Sequence, residues 1–289
     1  MKPASFEYRR PETVDEAVFL LAEHGSEAKV LAGGQSLVPM LNLRLARPRV
    51  LVDVNRLALH SVELGHGLLK MGATVRQHRL IDEIEIASAI PVLSHAARFV
   101  AHPAIRNRGT VGGSLAHADP AAELALIAVL NAATMIATSG SGQRRIEAEQ
   151  FFQGPFTTTL ADDELLTDVE FRVLPGVSSF GFAEAAERNG DFALAAAAVE
   201  VRWSQHVVSE ARVAVAGGVD VPRRLPAVEE LMRGSAADAT SVLAGEAAEL
   251  AVEDLQFVGD IHASAEHRRS LVGELVSRTV LQALAGHQR

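Results

Sequence analysis

Apolar positions recur at a helical interval near the start of the chain. Val14, Ala17, Val18, Leu20 and Leu21 form a stripe after Pro11, opened by Glu12 and Thr13 and stopped at Gly25, which predicts a helix over 12–25. The apolar run of Lys29, Val30, Leu31 and Ala32 then ends in Gly33-Gly34-Gln35-Ser36, a strand running into a tight turn. A short helix over 37–45 and a strand over 50–54 complete an opening block with a βαββ-like rhythm. Alternation about Gly65 and Gly67 predicts a hairpin over 60–76. Helices follow at 76–86 and 91–101, and an extended stretch from Ile105 meets a second glycine pair, Gly112-Gly113. A helix over 120–130 has Pro120 near its first turn, and strands are expected at 133–138, 144–148 and 165–173. Beyond Pro175-Gly176, the predicted boundary, three runs of strand composition cover 179–185, 195–203 and 209–216. Helices at 226–232, 238–252 and 266–285 finish the chain. Strands and helices mix without strict alternation, so the expected class is α+β rather than a doubly wound sheet.

Composition narrows the function. With 48% hydrophobic and 22% charged residues, the 289-residue chain suits one large domain or two modest ones. Its net charge of −9 opposes the neutralisation of phosphates on which nucleic-acid binding rests. Aromatics at 4% offer no stacking platform for single strands. No run of about 18 apolar residues is present, and the opening residues lack an apolar signal core, so the expected compartment is the cytoplasm. Cysteine is absent, which removes disulfides, thiolate nucleophiles and cysteine-held metal clusters. Any redox chemistry here must use a bound organic cofactor or the metals of a partner.

The glycine pairs are the strongest chemical signal. Glycine reaches positive φ and carries no Cβ, so successive amides can converge on an anion, and Ser36 and Ser114 add hydroxyls. Neither pair completes a P-loop or a G-x-G-x-x-G fingerprint. Two such bends are suited to a diphosphate held between loops, as in a dinucleotide. His117 and Asp119 follow directly and read as metal ligands lacking a third partner, a loop cap or a ribose contact. Glu123 reads either as a ribose acceptor or as a favourable charge in the first turn of its helix. Arg106 and Arg108 face a phosphate, a partner or solvent, and His60, His66, His78, His95 and His102 are scattered. A serine–histidine–aspartate triad lacks its G-x-S-x-G elbow. The segment Glu187-Arg188-Asn189-Gly190-Asp191-Phe192 reads as a polar hairpin tip projecting an aromatic suited to covering a flat ring.

A-G-G-Q-S-L at 32–37 and T-V-G-G-S-L-A-H-A-D-P-A-A-E-L at 110–124 resemble the two FAD-binding motifs of the medium subunit of molybdenum hydroxylases. That family includes carbon monoxide dehydrogenase, xanthine dehydrogenase and bacterial enzymes that oxidise N-heteroaromatics or aldehydes. The likeness extends to S-F-E-Y-R-R-P-E-T near the start, L-R-L-A-R-P at 43–48 and G-D-F-A at 190–193. It implies a two-subdomain FAD-binding domain of the vanillyl-alcohol oxidase type over 1–175, divided at about 55, and a smaller α+β domain over 176–289. By resemblance, Lys29, Val30, Leu31, Ala32, Gly33, Gly34, Gln35, Ser36 and Leu37, with Thr110, Val111, Gly112, Gly113 and Ser114, contact FAD. The backbone at 32–36 and 110–114 would cradle its diphosphate. Asp119 and Glu123 would lie near the adenosine half, Leu165 or Leu166 would approach the isoalloxazine, and Phe192 would sit beside the ring.

Two departures stand out. Ala183-Glu184 occupies the strand where many members carry lysine, which alters the electrostatics around the flavin. Gln35 replaces the histidine usual in copper-containing carbon monoxide dehydrogenases, which argues against carbon monoxide as substrate. The family assigns hydroxylation to a molybdopterin-bearing large subunit and two [2Fe–2S] clusters to a small subunit, in an α2β2γ2 assembly. FAD is then the redox centre of this chain, with no catalytic side chain and no metal of its own. The alternatives are a self-contained FAD oxidase and a non-redox nucleotide-binding module.

Overall fold

The computed structural model describes residues 2–176, 178–236 and 240–286. The first block contains β1 (Glu7–Arg9), α1 (Val14–His24), β2 (Ala28–Leu31), α2 (Leu37–Asn42) and β3 (Val50–Asp53). Its three strands lie parallel in the order β1-β3-β2, with β3 central and buried along its length. Thr13 caps α1 by accepting from the Glu16 amide, and Ala17, Val18 and Leu21 seal the sheet. Strand β1 was not foreseen, because three exposed residues carry no alternation.

The second block holds β4 (Val62–Gly65), β5 (Leu68–Gly72), α3 (Arg79–Asp82), α4 (Ile84–Ala89), α5 (Pro91–Ala96), α6 (Pro103–Arg106), α7 (Val111–His117) and α8 (Glu123–Leu130). It continues through β6 (Thr134–Ser139), β7 (Gly142–Glu147), α9 (Ala148–Phe151), β8 (Phe152–Gly154), β9 (Thr157–Thr158) and β10 (Leu165–Arg172). Five of these strands form an antiparallel sheet in the order β4-β5-β10-β6-β7, and β8 pairs with β9. The β4/β5 hairpin turns through His66 and Gly67, both at positive φ, as a two-residue primed turn requires.

The two helices expected over 76–101 are instead short pieces. Ile90 and His102 precede prolines, which disfavour helical backbone at the preceding residue. Both adopt extended or irregular φ/ψ, and each proline starts a new helix.

The third block has β11 (Ser178–Ala185), β12 (Ala195–Ser204), β13 (Val207–Ala216), β14 (Arg223–Arg224), α10 (Pro226–Met232), α11 (Thr240–Leu250) and α12 (Ala265–Ala285). Its strands form an antiparallel meander in sequence order. The helix expected over 238–252 begins at Thr240 among the described residues, 238–239 lying outside them.

Strand periodicity assigns the two faces of this last sheet. Val199, Val201, Val213 and Val215 join the core formed with α10, α11 and α12, whereas Ala196, Ala198, Ala214 and Ala216 join the core of the second block. Against that alanine face lies α8, whose residues Leu124–Leu130 are all buried. A helix apolar on every side has no solvent face to keep, and alanine lets it approach the sheet closely. One hydrophobic core therefore runs from the five-stranded sheet, through α8, to the meander.

Candidate functional site

The two glycine bends, separated by nearly eighty residues, meet in space. A Cβ at Gly33 would lie 2.5 Å from the Arg108 carbonyl oxygen and 2.8 Å from the Gly109 Cα. A Cβ at Gly113 would lie 3.7 Å from the Ala32 side chain. The first bend is delivered by the end of β2 and turned by Gly34 at φ +73° before α2 begins. The second sits beside the exit of β5, where the Val111 and Gly112 amides donate to the Val75 and Ala73 carbonyls, both at 2.9 Å.

The bends are not equivalent, which corrects the expectation of two matching turns. Gly112 and Gly113 lie in the first turn of α7, with Thr110 as N-cap accepting from the Gly113 amide at 3.0 Å. Helical structure begins here because the cap offers its hydroxyl where a turn would leave the amide unpaired. The amides of Val111, Gly112 and Gly113 are thus already engaged. Gly112 serves close packing instead, since any Cβ there would collide with Ala73.

The first bend keeps its donors free. Among the described residues, the amides of Gly33, Gly34, Gln35 and Ser36 donate to no other group of the chain. Gln35 folds back, its Nε2 donating to the Gly33 carbonyl at 2.8 Å, which tightens the bend. Among the described residues, no hydrogen bond engages the Ser36 or Ser114 hydroxyl. Half-buried amides without an acceptor among the described residues, on a loop turned by a positive-φ glycine, can converge on an anion. This arrangement fits a diphosphate.

The acidic residues gather beyond α7. Ala118 adopts left-handed backbone and ends that helix, and Asp119 caps the next turn by accepting from the Ala121 amide at 2.9 Å. The loop-cap reading of Asp119 therefore holds in this structure. Burial raises its carboxyl, partly offset by that bond and by His117. Glu123 opens α8, where burial, reinforced by Asp119, pushes it up to about 7 against the opposing effect of Arg106. Glu184 on β11 is pushed up to about 8 by burial and then by Glu123, and its Oε2 is buried without a partner. Glu184 thus forms part of a carboxyl pair that favours holding a proton near neutrality. Among the described residues, no three histidine, aspartate or glutamate side chains are arranged to hold a metal ion.

Phe192 is 71% exposed at the end of a loop whose Gly190 lies against the His102 ring and the Ala101 carbonyl. Arg106 ties down the same neighbourhood by donating to the Val100 carbonyl at 2.7 Å and the Ala101 carbonyl at 3.0 Å, so it braces a loop rather than facing solvent. His95 likewise is structural, its ring within 5.9 Å of Phe99, Phe180 and Phe182.

Leu165 and Leu166 lie at the start of β10, inside the protein core. Each is 4% exposed, one in the core of the first block and the other in that of the second. They begin β10, whose Thr167 carbonyl accepts from the Ala73 amide directly behind Gly112. Sequence reasoning also missed Tyr8, Asp53, Asn55 and Arg76, which connect the two bends; the only prior signal was a polar pair closing an apolar strand at 53–55.

Comparison with known proteins agrees with this geometry. The FAD binding domain in molybdopterin dehydrogenase matches residues 4–172, and the CO dehydrogenase flavoprotein C-terminal domain matches residues 180–283. The chain is 39% identical over 286 residues to the 6-hydroxypseudooxynicotine dehydrogenase complex subunit alpha of Paenarthrobacter nicotinovorans, covering 98% of this chain and 96% of that one. It is 37% identical over 284 residues to the nicotine 6-hydroxylase medium subunit of the same organism, covering 98% and 99%. Among solved structures, quinoline 2-oxidoreductase from Pseudomonas putida 86 superposes with a TM-score of 0.94 at 35% identity, covering 100% of both chains. The paired bends, the free amides and these likenesses place the chain in one family: it is an FAD-binding medium subunit of the molybdenum hydroxylases, an oxidoreductase component.

Proposed function

We propose that this chain is the electron-transfer subunit of a heteromeric molybdenum hydroxylase, assembled as α2β2γ2 with a large molybdopterin subunit and a small [2Fe–2S] subunit. The FAD it binds supplies the relay of electrons from those clusters to an external acceptor. The observation carrying this reading is the approach of Gly33 to Arg108–Gly109 beside a run of unengaged amides.

The chain's own residues bind and orient. The amides of Gly33, Gly34, Gln35 and Ser36 hold the diphosphate, and the Ser36 and Ser114 hydroxyls complete its coordination. Ala32, Thr110, Val111, Gly112 and Gly113 form the walls where the bends touch, and Lys29, Val30, Leu31 and Leu37 extend the cleft along β2 and the start of α2. Asp119 and Glu123 would serve the adenosine half, and the exposed Phe192 ring would cover the flat ring system. No side chain of the cleft is assigned a proton transfer with an organic substrate.

Affinity purification of the tagged chain after co-expression with its neighbouring subunits tests the reading. A complex of three chains containing FAD, iron and molybdenum is expected, with FAD alone accompanying the isolated chain. Oxidation of an organic substrate by the isolated FAD-loaded chain would overturn it in favour of a self-contained oxidase.

A further inference from the structure

The two bends are held at their spacing by a side-chain network outside the glycine motifs. Asn55 lies just beyond β3, and its Nδ2 donates to the Ala32 carbonyl at 2.8 Å and to Asp53 Oδ1 at 2.5 Å. Its Oδ1 accepts from Arg76 Nη2 at 2.7 Å. The other arm of the same guanidinium, Nη1, donates to the Arg108 carbonyl, the very oxygen that would sit 2.5 Å from a Cβ at Gly33. Behind Asn55, Asp53 is nearly buried. It accepts from the Asn55 amide at 2.9 Å and from the Tyr8 hydroxyl, with Arg10 3.9 Å away. One fork therefore grips the second bend directly and the first through an amide side chain.

We propose that Arg76 and Asn55, backed by Asp53 and Tyr8, are positioning residues that clamp the two bends together and set the width of the cleft a diphosphate must span. Three features of the geometry carry this. The clamp engages the Ala32 and Arg108 carbonyls, while the amides of Gly33–Ser36 donate to no other group among the described residues. Carbonyl oxygens left at the mouth would repel a diphosphate; carbonyls tied to cations and amides do not. The partners also come from three separate places: β1 and the end of β3 in the first block, and the segment after β5 in the second. The network is therefore the polar joint between the two blocks at the cleft. Finally, the donor count is complete only with arginine, because a lysine offers a single nitrogen and cannot reach two acceptors in a fixed fork.

This inference rests on FAD binding by the chain, and its test separates the two. The full-length chain, stripped of flavin, is titrated with FAD while flavin fluorescence is followed, and the melting temperature is measured with and without saturating FAD. Failure of the wild-type chain to bind would sink the FAD reading itself. With wild-type binding established, Arg76→Lys and Asn55→Ala are each expected to weaken FAD affinity at least about tenfold. The melting-temperature gain conferred by FAD should shrink accordingly. The double variant should lose no more than the worse single one, because both act through one clamp. Unchanged affinity in both variants, with an equal loss of melting temperature in the presence and absence of FAD, would reduce the network to ordinary fold support. Strictly additive losses in the double variant would overturn the single-clamp account. Arg76→Lys keeps the charge and the aliphatic stem of the side chain, so it keeps the test decisive if an alanine substitution fails to fold.

Discussion

Gly33 has a role that no other residue can fill, because backbone rather than a movable side chain lies where its Cβ would be. Gly33→Ala is therefore expected to push the bends apart and weaken FAD binding by about tenfold or more, measured by titration. Ser36→Ala removes only a hydroxyl and should cost less. The carboxyl pair makes a second prediction at this scale. Glu184 and Glu123 have folded-state values of about 8 and about 7, above those of an unfolded chain, so the unprotonated forms are disfavoured by folding. Their contribution is fully present at low pH and is lost as pH rises through the folded values. Flavin-free protein should thus be harder to unfold with urea near pH 5 than near pH 8.5, and Glu184→Gln should flatten that slope. An unchanged slope would show that the carboxyl is solvated. At this scale the sequence was readable where chemistry is local, as in the glycines and Asp119. Arg76 and Asn55 were not readable, since their partners are separated along the chain by more than twenty residues and nothing local marks an arginine as the end of a fork.

Elements with a clear period were legible, including α1, the β4/β5 hairpin, α10 and the long α12, because the burial of one face decides both their type and their register. Helix α7 was not. Its two glycines argue against helix, and only packing on Ala73 and the Thr110 cap makes it form. The first turns of α12 hold the base of the Phe192 loop. Buried Arg268 donates to the Leu194 carbonyl at 2.7 Å, to the Gly217 carbonyl, and to Asp260 at 2.7 Å. Arg268→Met leaves two carbonyls without their donor and is expected to cost about 3 kcal/mol in chemical denaturation. Gly181 on β11 meets the α12 backbone at Thr279, so Gly181→Ala should lower the melting temperature while leaving the distant diphosphate cleft able to bind FAD.

Across the whole molecule, the boundary expected at Pro175-Gly176 marks a change of sheet but not a break in packing. The side of the meander facing α8 belongs to the same hydrophobic core as the five-stranded sheet. A polar contact crosses it too: the Asn131 amide at the end of α8 donates to buried Glu200 on β12 at 2.8 Å, and Arg212 lies 3.8 Å from that carboxylate. Glu200→Ala leaves the Asn131 amide without its acceptor in the interior and Arg212 with Glu210 alone, and should destabilise the two halves together, in a single cooperative transition rather than two. Such continuity was hidden in the sequence, because an alanine face for a buried helix looks the same as an alanine-rich strand of any other use. It also means that the second glycine bend, through Val111, and the Phe192 loop, through Ala193, rest on the same core. The most direct measurement of the central claim is a crystal structure of the chain with FAD. The account predicts diphosphate oxygens within about 2.7–3.2 Å of the Gly33–Ser36 amides, with the Ser114 hydroxyl opposite them. A diphosphate bound elsewhere, or bends that separate when the cofactor enters, would contradict it.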